Sequence, residues 1–231
     1  MPDFSRRSTE DEIMDNFALD HRELDPVLKE LEVINKLLGG FSVFYHAFKQ
    51  LNMQNGDSVC DWGCGGGDSL RVLDEYFRRR KLQLKLVGVD ATAAAVEFAR
   101  TRHAAYPNIE FRLADVLEHE FREGEFDVVV SSLFTHHFDD ERWILLIRRM
   151  VHACRKAVII NDLHRHWFAY YSIGVLTTLF SRSPMVRHDS KVSVMRSFSR
   201  AELEALIRRA GFTRFRIRWM WAFRWQVIIY K

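Results

Sequence analysis

Apolar and polar positions change rhythm along this chain, and the changes divide it into segments. Up to about residue 50 the apolar residues recur at helical spacing. Ile13, Met14, Phe17 and Leu19 come first, followed by Leu28, Leu31, Ile34, Leu37 and Leu38. The second set stops at Gly39-Gly40, a helix-ending pair, and Phe41 to Leu51 is long enough for a third short helix. From Asp57 to about Asp162 short apolar runs alternate with helical stretches. The first run leads into a turn that begins at Asp61, the others end at Asp90, Asp115, Ser132 and Asn161, and the last begins at Ala157. Strands that alternate with helices predict a parallel sheet covered on both faces. Ser199-Arg200-Ala201-Glu202 reads as a capping box opening a helix that reaches Ala210-Gly211. Two alternating runs close the chain, Phe212–Trp219 and Phe223–Tyr230, and their short connection predicts an antiparallel hairpin. The expected fold class is α/β.

The first strand runs into a turn, Asp61-Trp62-Gly63-Cys64-Gly65-Gly66-Gly67. Glycine lacks Cβ, so the backbone can bend tightly and a ligand can lie against it. The helix that follows presents unpaired N–H groups at its start. The turn does not suit a dinucleotide, because the third glycine of Gly-x-Gly-x-x-Gly falls on Asp68. It does not suit a phosphate loop either, since no Gly-Lys-Ser/Thr follows. An acid opens the turn and no cation awaits phosphates, which favours a positively charged or zwitterionic ligand. S-adenosylmethionine has a sulfonium, an amino group and no phosphate, and it fits. Two further strand ends carry acids. Asp90 can accept from both ribose hydroxyls, as such a carboxylate does in dinucleotide folds, and Asp115 can accept from the adenine amino group. The expected cofactor-binding residues are Asp61, Gly63, Cys64, Gly65, Asp90, Ala91, Asp115, Val116 and Ser132.

On these motifs residues 57–162 resemble the class I S-adenosylmethionine-dependent methyltransferases, in their small-molecule, ubiquinone/menaquinone-biosynthesis-like group. The resemblance implies a Rossmann-like seven-stranded sheet in the order 3-2-1-4-5-7-6, with strand 7 antiparallel. Asn161-Asp162-Leu163-His164-Arg165, Arg187-His188-Asp189, Ser193 and Phe198-Ser199 are similar to bacterial methyltransferases of phenolic or quinone-like lipids. That similarity implies O-methylation of an aromatic hydroxyl. C-methylation of a quinone-type ring is the alternative. A nucleic-acid substrate is not expected, because Ser131-Ser132-Leu133-Phe134 replaces the Asn/Asp-Pro-Pro-aromatic signature of base methylation.

Ligands of open α/β sheets bind beyond the carboxyl ends of the strands. The acceptor would therefore be covered by an N-terminal helical cap, residues 1–50, and an insertion, residues 163–198, within one domain spanning 1–231. The run from Trp167 to Phe180 is uncharged and too short to span a bilayer. It reads as an apolar lid, an ordinary packed helix or a transient membrane-surface contact. Histidine is the natural base for an oxygen nucleophile near neutral pH. His137, after strand four, and His164, after strand five, are the candidates. The resemblance also implies a different role for the first, because histidines in that loop often shape the cofactor pocket.

The 231 residues are enough for a substantial core, and 48% of them are hydrophobic. The net charge of +3 comes from 34 Lys+Arg against 31 Asp+Glu, which is no nucleic-acid footprint. Cys60, Cys64 and Cys154 form no zinc-spaced pair, so no metal is expected, and their odd number argues against a disulfide framework. No apolar leader follows Met1, and a reducing cytoplasm is the expected compartment.

Overall fold

A computed structural model describes residues 2–15 and 19–231; Phe17 of the first apolar set lies outside them. Seven strands form one sheet in the order β3-β2-β1-β4-β5-β7-β6. They are β1 (Ser58–Trp62), β2 (Lys85–Asp90), β3 (Ile109–Leu113), β4 (Phe126–Ser132), β5 (Cys154–Leu163), β6 (Phe215–Met220) and β7 (Arg224–Tyr230). The first five are mutually parallel, and β7 runs antiparallel to both β5 and β6. Alternation along each strand sends side chains into two cores. Cys60, Trp62, Val129, Val158 and Ile160 meet α5 (Asp140–Ala153) and α8 (Arg200–Arg209) on one face. Val59, Val128, Val130 and Ile159 meet α2 (Ser42–Phe48), α3 (Asp68–Arg78) and α4 (Ala93–Arg102) on the other.

Three segments depart from the sequence reading. Residues 3–12 are not helical; among the described residues only a short 3₁₀ turn, Ile13–Asp15, precedes α1 (His21–Leu37). Their order comes from long-range bonds, such as Arg7 donating to the carbonyls of His136 (3.0 Å) and Phe138 (2.7 Å). The insertion is two helices, α6 (Trp167–Phe180) and α7 (Pro184–Arg196). β5 is also longer than its apolar run, because Asp162 and Leu163 pair with Trp225 and Arg224 of β7. The capping box is as expected: Ser199 accepts from the Glu202 N–H, and the Glu202 carboxylate accepts from Ser199.

The glycine turn is shaped by contacts that only glycine allows. Gly67 caps α3 at φ +79°, and a Cβ there would lie 2.6 Å from the Phe111 ring. Gly67→Ala is therefore expected to destabilise the fold by about 2–4 kcal/mol, combining left-handed backbone strain with overpacking. Urea unfolding of the variant beside the parent measures it.

Candidate active site

The carboxyl ends of β1, β2 and β4 open into a cavity of about 520 Å³. That lies within the range of about 300–1,000 Å³ usual for small-molecule sites. Gly63, Cys64, Gly65, Asp90, Ala91, Asp115, Val116 and Ser132 all line it. The turn is tied down from below: Val89 O accepts from the N–H groups of Gly63 (2.9 Å) and Cys64 (3.1 Å). Asp90 accepts from Gly65 N at 2.9 Å with one oxygen and from Thr92 N at 2.9 Å with the other. Asp90 thus holds the turn as well as facing the cavity. Asp115 accepts from Leu117 N at 2.8 Å, a local capping bond, and still lines the cavity. Cys64 packs beside Gly88, where a Cβ would come within 2.8 Å of its Sγ, so the site favours small residues.

Asp61 lies beneath the turn rather than on the cavity wall. It is buried, its Oδ1 has no hydrogen-bond partner among the described residues, and burial together with the nearby Asp90 pushes its carboxyl well above the usual range. Burial raises Asp90 as well. Two crowded acids under a bare glycine turn form a cradle for a cationic ligand. The donor set therefore fits the ammonium, sulfonium and ribose of S-adenosylmethionine.

At the other end Leu133 adopts φ +53°, a strained value for a branched side chain, just before Phe134. The Phe134 ring covers Gly63, where a Cβ would lie 2.3 Å from it. A 3₁₀ turn, Thr135–His137, follows. His137 lines the cavity, and its Nδ1 lies 2.7 Å from Asp15 Oδ1, at an angle outside hydrogen-bond geometry. His164 does not line the cavity. Its ring packs 4.7 Å from Trp225, and burial, with the neighbouring His166 and Arg165, pushes it down to about 4. It is displaced because β5 runs on into a bridge with Phe198 beside the antiparallel β7, away from the crevice.

The histidine beside His137 was not a candidate, yet it has the stronger network. Asp162 accepts four bonds, from Thr135 Oγ1 (2.6 Å), His136 N (3.0 Å), His136 Nδ1 (2.6 Å) and Leu163 N (2.8 Å). Glu12, from the N-terminal segment, meets His136 Nε2 at 3.2 Å and accepts from Ser193 Oγ at 2.7 Å. Burial works against a charged ring, but Asp162 and Glu12 outweigh it and raise His136 to about 10. Asp162 is held down at about 2, as the charge and hydrogen bonds of His136 overcome its burial. The segment over the crevice is also pinned by Asp189, whose carboxylate accepts from Ile13 N (2.9 Å) and Met14 N (3.0 Å). Of the Arg187-His188-Asp189 cluster, only Asp189 lines the cavity.

Glu12, His136 and His137 offer ligand atoms within 4.8 Å of one another, a spacing that could hold a metal ion. The two imidazoles stack 4.4 Å apart at 28°, so their in-plane lone pairs run side by side instead of converging. Both nitrogens of His136 already face carboxylates. The cluster is built as an ion-paired imidazolium.

Residues 59–157 match the family described as Methyltransferase domain. Over those residues this chain carries a methyltransferase domain. The methyltransferase domain takes S-adenosylmethionine as its cofactor. Phosphoethanolamine N-methyltransferase 1 of Arabidopsis thaliana is 27% identical over 106 residues, which are 45% of this chain and 20% of that protein. The chain thus spans a minor part of that longer relative. The 2-phytyl-1,4-naphtoquinone methyltransferase of Thermosynechococcus vestitus is 28% identical over 184 residues, 74% of this chain and 80% of the relative. A solved methyltransferase from Aquifex aeolicus shares the fold, with a TM-score of 0.65 at 14% identity over 92% of this chain and 98% of that one. Among the described residues no helix is long and apolar enough to cross a membrane.

Proposed function

We propose that this methyltransferase moves the methyl group of S-adenosylmethionine to the oxygen of a small, lipophilic, aromatic acceptor, phenolic or quinol-like. The observation that supports it is one continuous cavity with two kinds of wall. Strand-tip acids Asp90 and Asp115 and the glycine turn form the donor end. At the other, His137 and Ser193 stand with Glu12, Asp15, Asp189 and Arg196 beside the apolar Leu163 and Val186. The sulfonium methyl is already activated, so positioning supplies much of the rate. His137 is the group placed to take the hydroxyl proton. In this reading the cap and the insertion shield the reaction from water, and the whole chain works as one domain. The three cysteines are free and buried, in keeping with a cytoplasmic setting. Transient contact with a membrane surface, where such an acceptor accumulates, belongs to the same reading.

Calorimetric titration with S-adenosylmethionine, then turnover on alkylated phenols and quinols, tests it. Donor binding with a methyl ether as product is the expected result. Binding without turnover on any member of the panel removes the acceptor class, and no binding removes the whole reading. The naphthoquinone relative favours a second acceptor atom, a ring carbon, and product NMR separates the two. Asp90→Ala is expected to weaken the donor by about 1–3 kcal/mol, as its carboxylate serves both ligand and turn. The same titration measures this.

A further inference from the structure

Helix α6 is amphipathic the wrong way round for water. It turns Ala169 and Thr177 inward, and these are its buried residues. Its large side chains point out: Trp167, Phe168, Tyr171, Val175, Leu179 and Phe180 are 49–79% exposed. Trp167, Tyr171, Val175 and Leu179 recur every four residues, so they share one face. None of the fourteen residues of α6 is charged. Folding in water alone would put the bulk inside and the small residues out.

The exposed face continues onto two other elements. The Phe168 ring lies 5.7 Å from Phe223, and Phe223 lies 6.0 Å from Trp219. Trp219 and Trp221, at the β6–β7 turn, are exposed. Trp221 Cδ1 lies 3.6 Å from where a Gly39 Cβ would stand, just past α1, and Leu37 at the end of that helix is exposed. Glu30 of α1 accepts from Arg182 N at 3.2 Å, tying α1 to the end of α6.

Charge identifies the occupant. Residues 163–188 and 212–231 contain no Asp or Glu. Arg182, just past α6, and Arg218, next to Trp219 in β6, are exposed beside the apolar face, and Glu30 there already accepts from Ser181 Oγ and Arg182 N. A second copy seated here would bring like charges together, whereas an anionic surface would be attracted. Tryptophan and tyrosine prefer the boundary between headgroups and acyl chains. We infer that α6, the β6–β7 turn and the end of α1 form one face that seats on an anionic phospholipid bilayer. The inference deepens the reading of a lipophilic acceptor and rests on it. α7, on which α6 packs, carries Val186, Ser190 and Ser193 on the cavity wall, so a lipid-borne acceptor would approach within one helix of the site.

Cosedimentation of the full chain with phosphatidylcholine vesicles, with and without phosphatidylglycerol, tests it, alongside Val175→Glu and Leu179→Glu. The parent is expected to bind the anionic vesicles more tightly than the neutral ones. Each variant should lose at least about tenfold, because a carboxylate is unfavourable at an apolar interface. Donor affinity and turnover on a water-soluble phenol should stay unchanged, since both residues point away from the crevice. Failure of the parent to bind vesicles overturns the proposal, and so does undiminished binding by both variants. Sedimentation showing a dimer that these substitutions dissociate, without vesicle binding, overturns it in favour of a second copy. Vesicle binding without turnover on any phenol leaves this surface standing and removes the acceptor reading alone.

Discussion

Asp162→Asn is expected to cost about 3–5 kcal/mol of stability, the usual loss when one member of a buried ion pair is removed. The carboxylate sits among four donors, and two of them belong to His136. Asparagine keeps the shape but has no charge, and its NH₂ would aim at least one donor at another donor. The pH dependence gives the test its sign. His136 is raised from 6.5 to about 10, so its contribution is fully present below 6.5 and is lost as pH rises through about 10. Asp162 is lowered from 3.8 to about 2, so its contribution is present above 3.8 and is lost as pH falls through about 2. The gap between parent and variant should therefore be widest between about pH 4 and 6.5 and shrink towards pH 10. Urea unfolding at pH 5, 7 and 9 measures it. A gap that does not narrow at alkaline pH would show that His136 is neutral in the native protein. Glu12→Gln should give a smaller loss of the same kind, with looser binding of the N-terminal segment over the crevice. Burial raises the Glu12 carboxyl, but the bonds and charge of His136 outweigh it and hold it below its ordinary value. Proteolysis of residues 3–15 in the folded state reports that loosening.

The sheet was legible because its signal is local. Unbroken apolar runs in β2 and β4 state burial within a few residues, and alternation in β7 states its period, although its polar Arg224 and Gln226 are buried as well. The donor end was legible for a similar reason, since the turn and its acids lie at strand ends and the strand order brings those ends together. The acceptor end was not. Glu12 reaches His136 across 124 positions of sequence, from a charged stretch with no periodicity of its own. α7 was missed because it is used on two sides, Asp189 and Ser193 towards the cavity and Lys191 towards Gly174 of α6. A helix gripped from both sides shows no single apolar stripe. His164 was misplaced by extending a rule for parallel strands to β5, where the antiparallel β7 carries the strand onward past the crevice. Nothing in two adjacent histidines says which one the Asp162 carboxylate will take.

Replacing that other histidine should separate chemistry from packing. His137→Ala is expected to lower kcat on an ordinary alkylphenol by about 10²–10⁴-fold, the usual contribution of a positioned base. Donor affinity should change little, because Asp90 and the glycine turn do not depend on the ring. Nδ1 already lies 2.7 Å from Asp15, and a small ring rotation would align an N–H with that carboxylate, leaving Nε2 to accept a proton. Asp15 is itself fixed by Arg196, which donates to it at 2.9 Å, while the other arm of that guanidinium donates to His137 O at 2.6 Å. The decisive measurement varies the acceptor rather than the enzyme alone. A dinitrophenol is acidic enough to be ionised at neutral pH before it binds and has no proton to give up. If His137 is the base, the variant should keep most of its turnover on such an acceptor and lose progressively more as the phenol becomes less acidic. If the ring only shapes the pocket, the loss will be the same across the series. Asp15→Asn should follow the same slope more weakly, since it acts on the proton only through the orientation of His137.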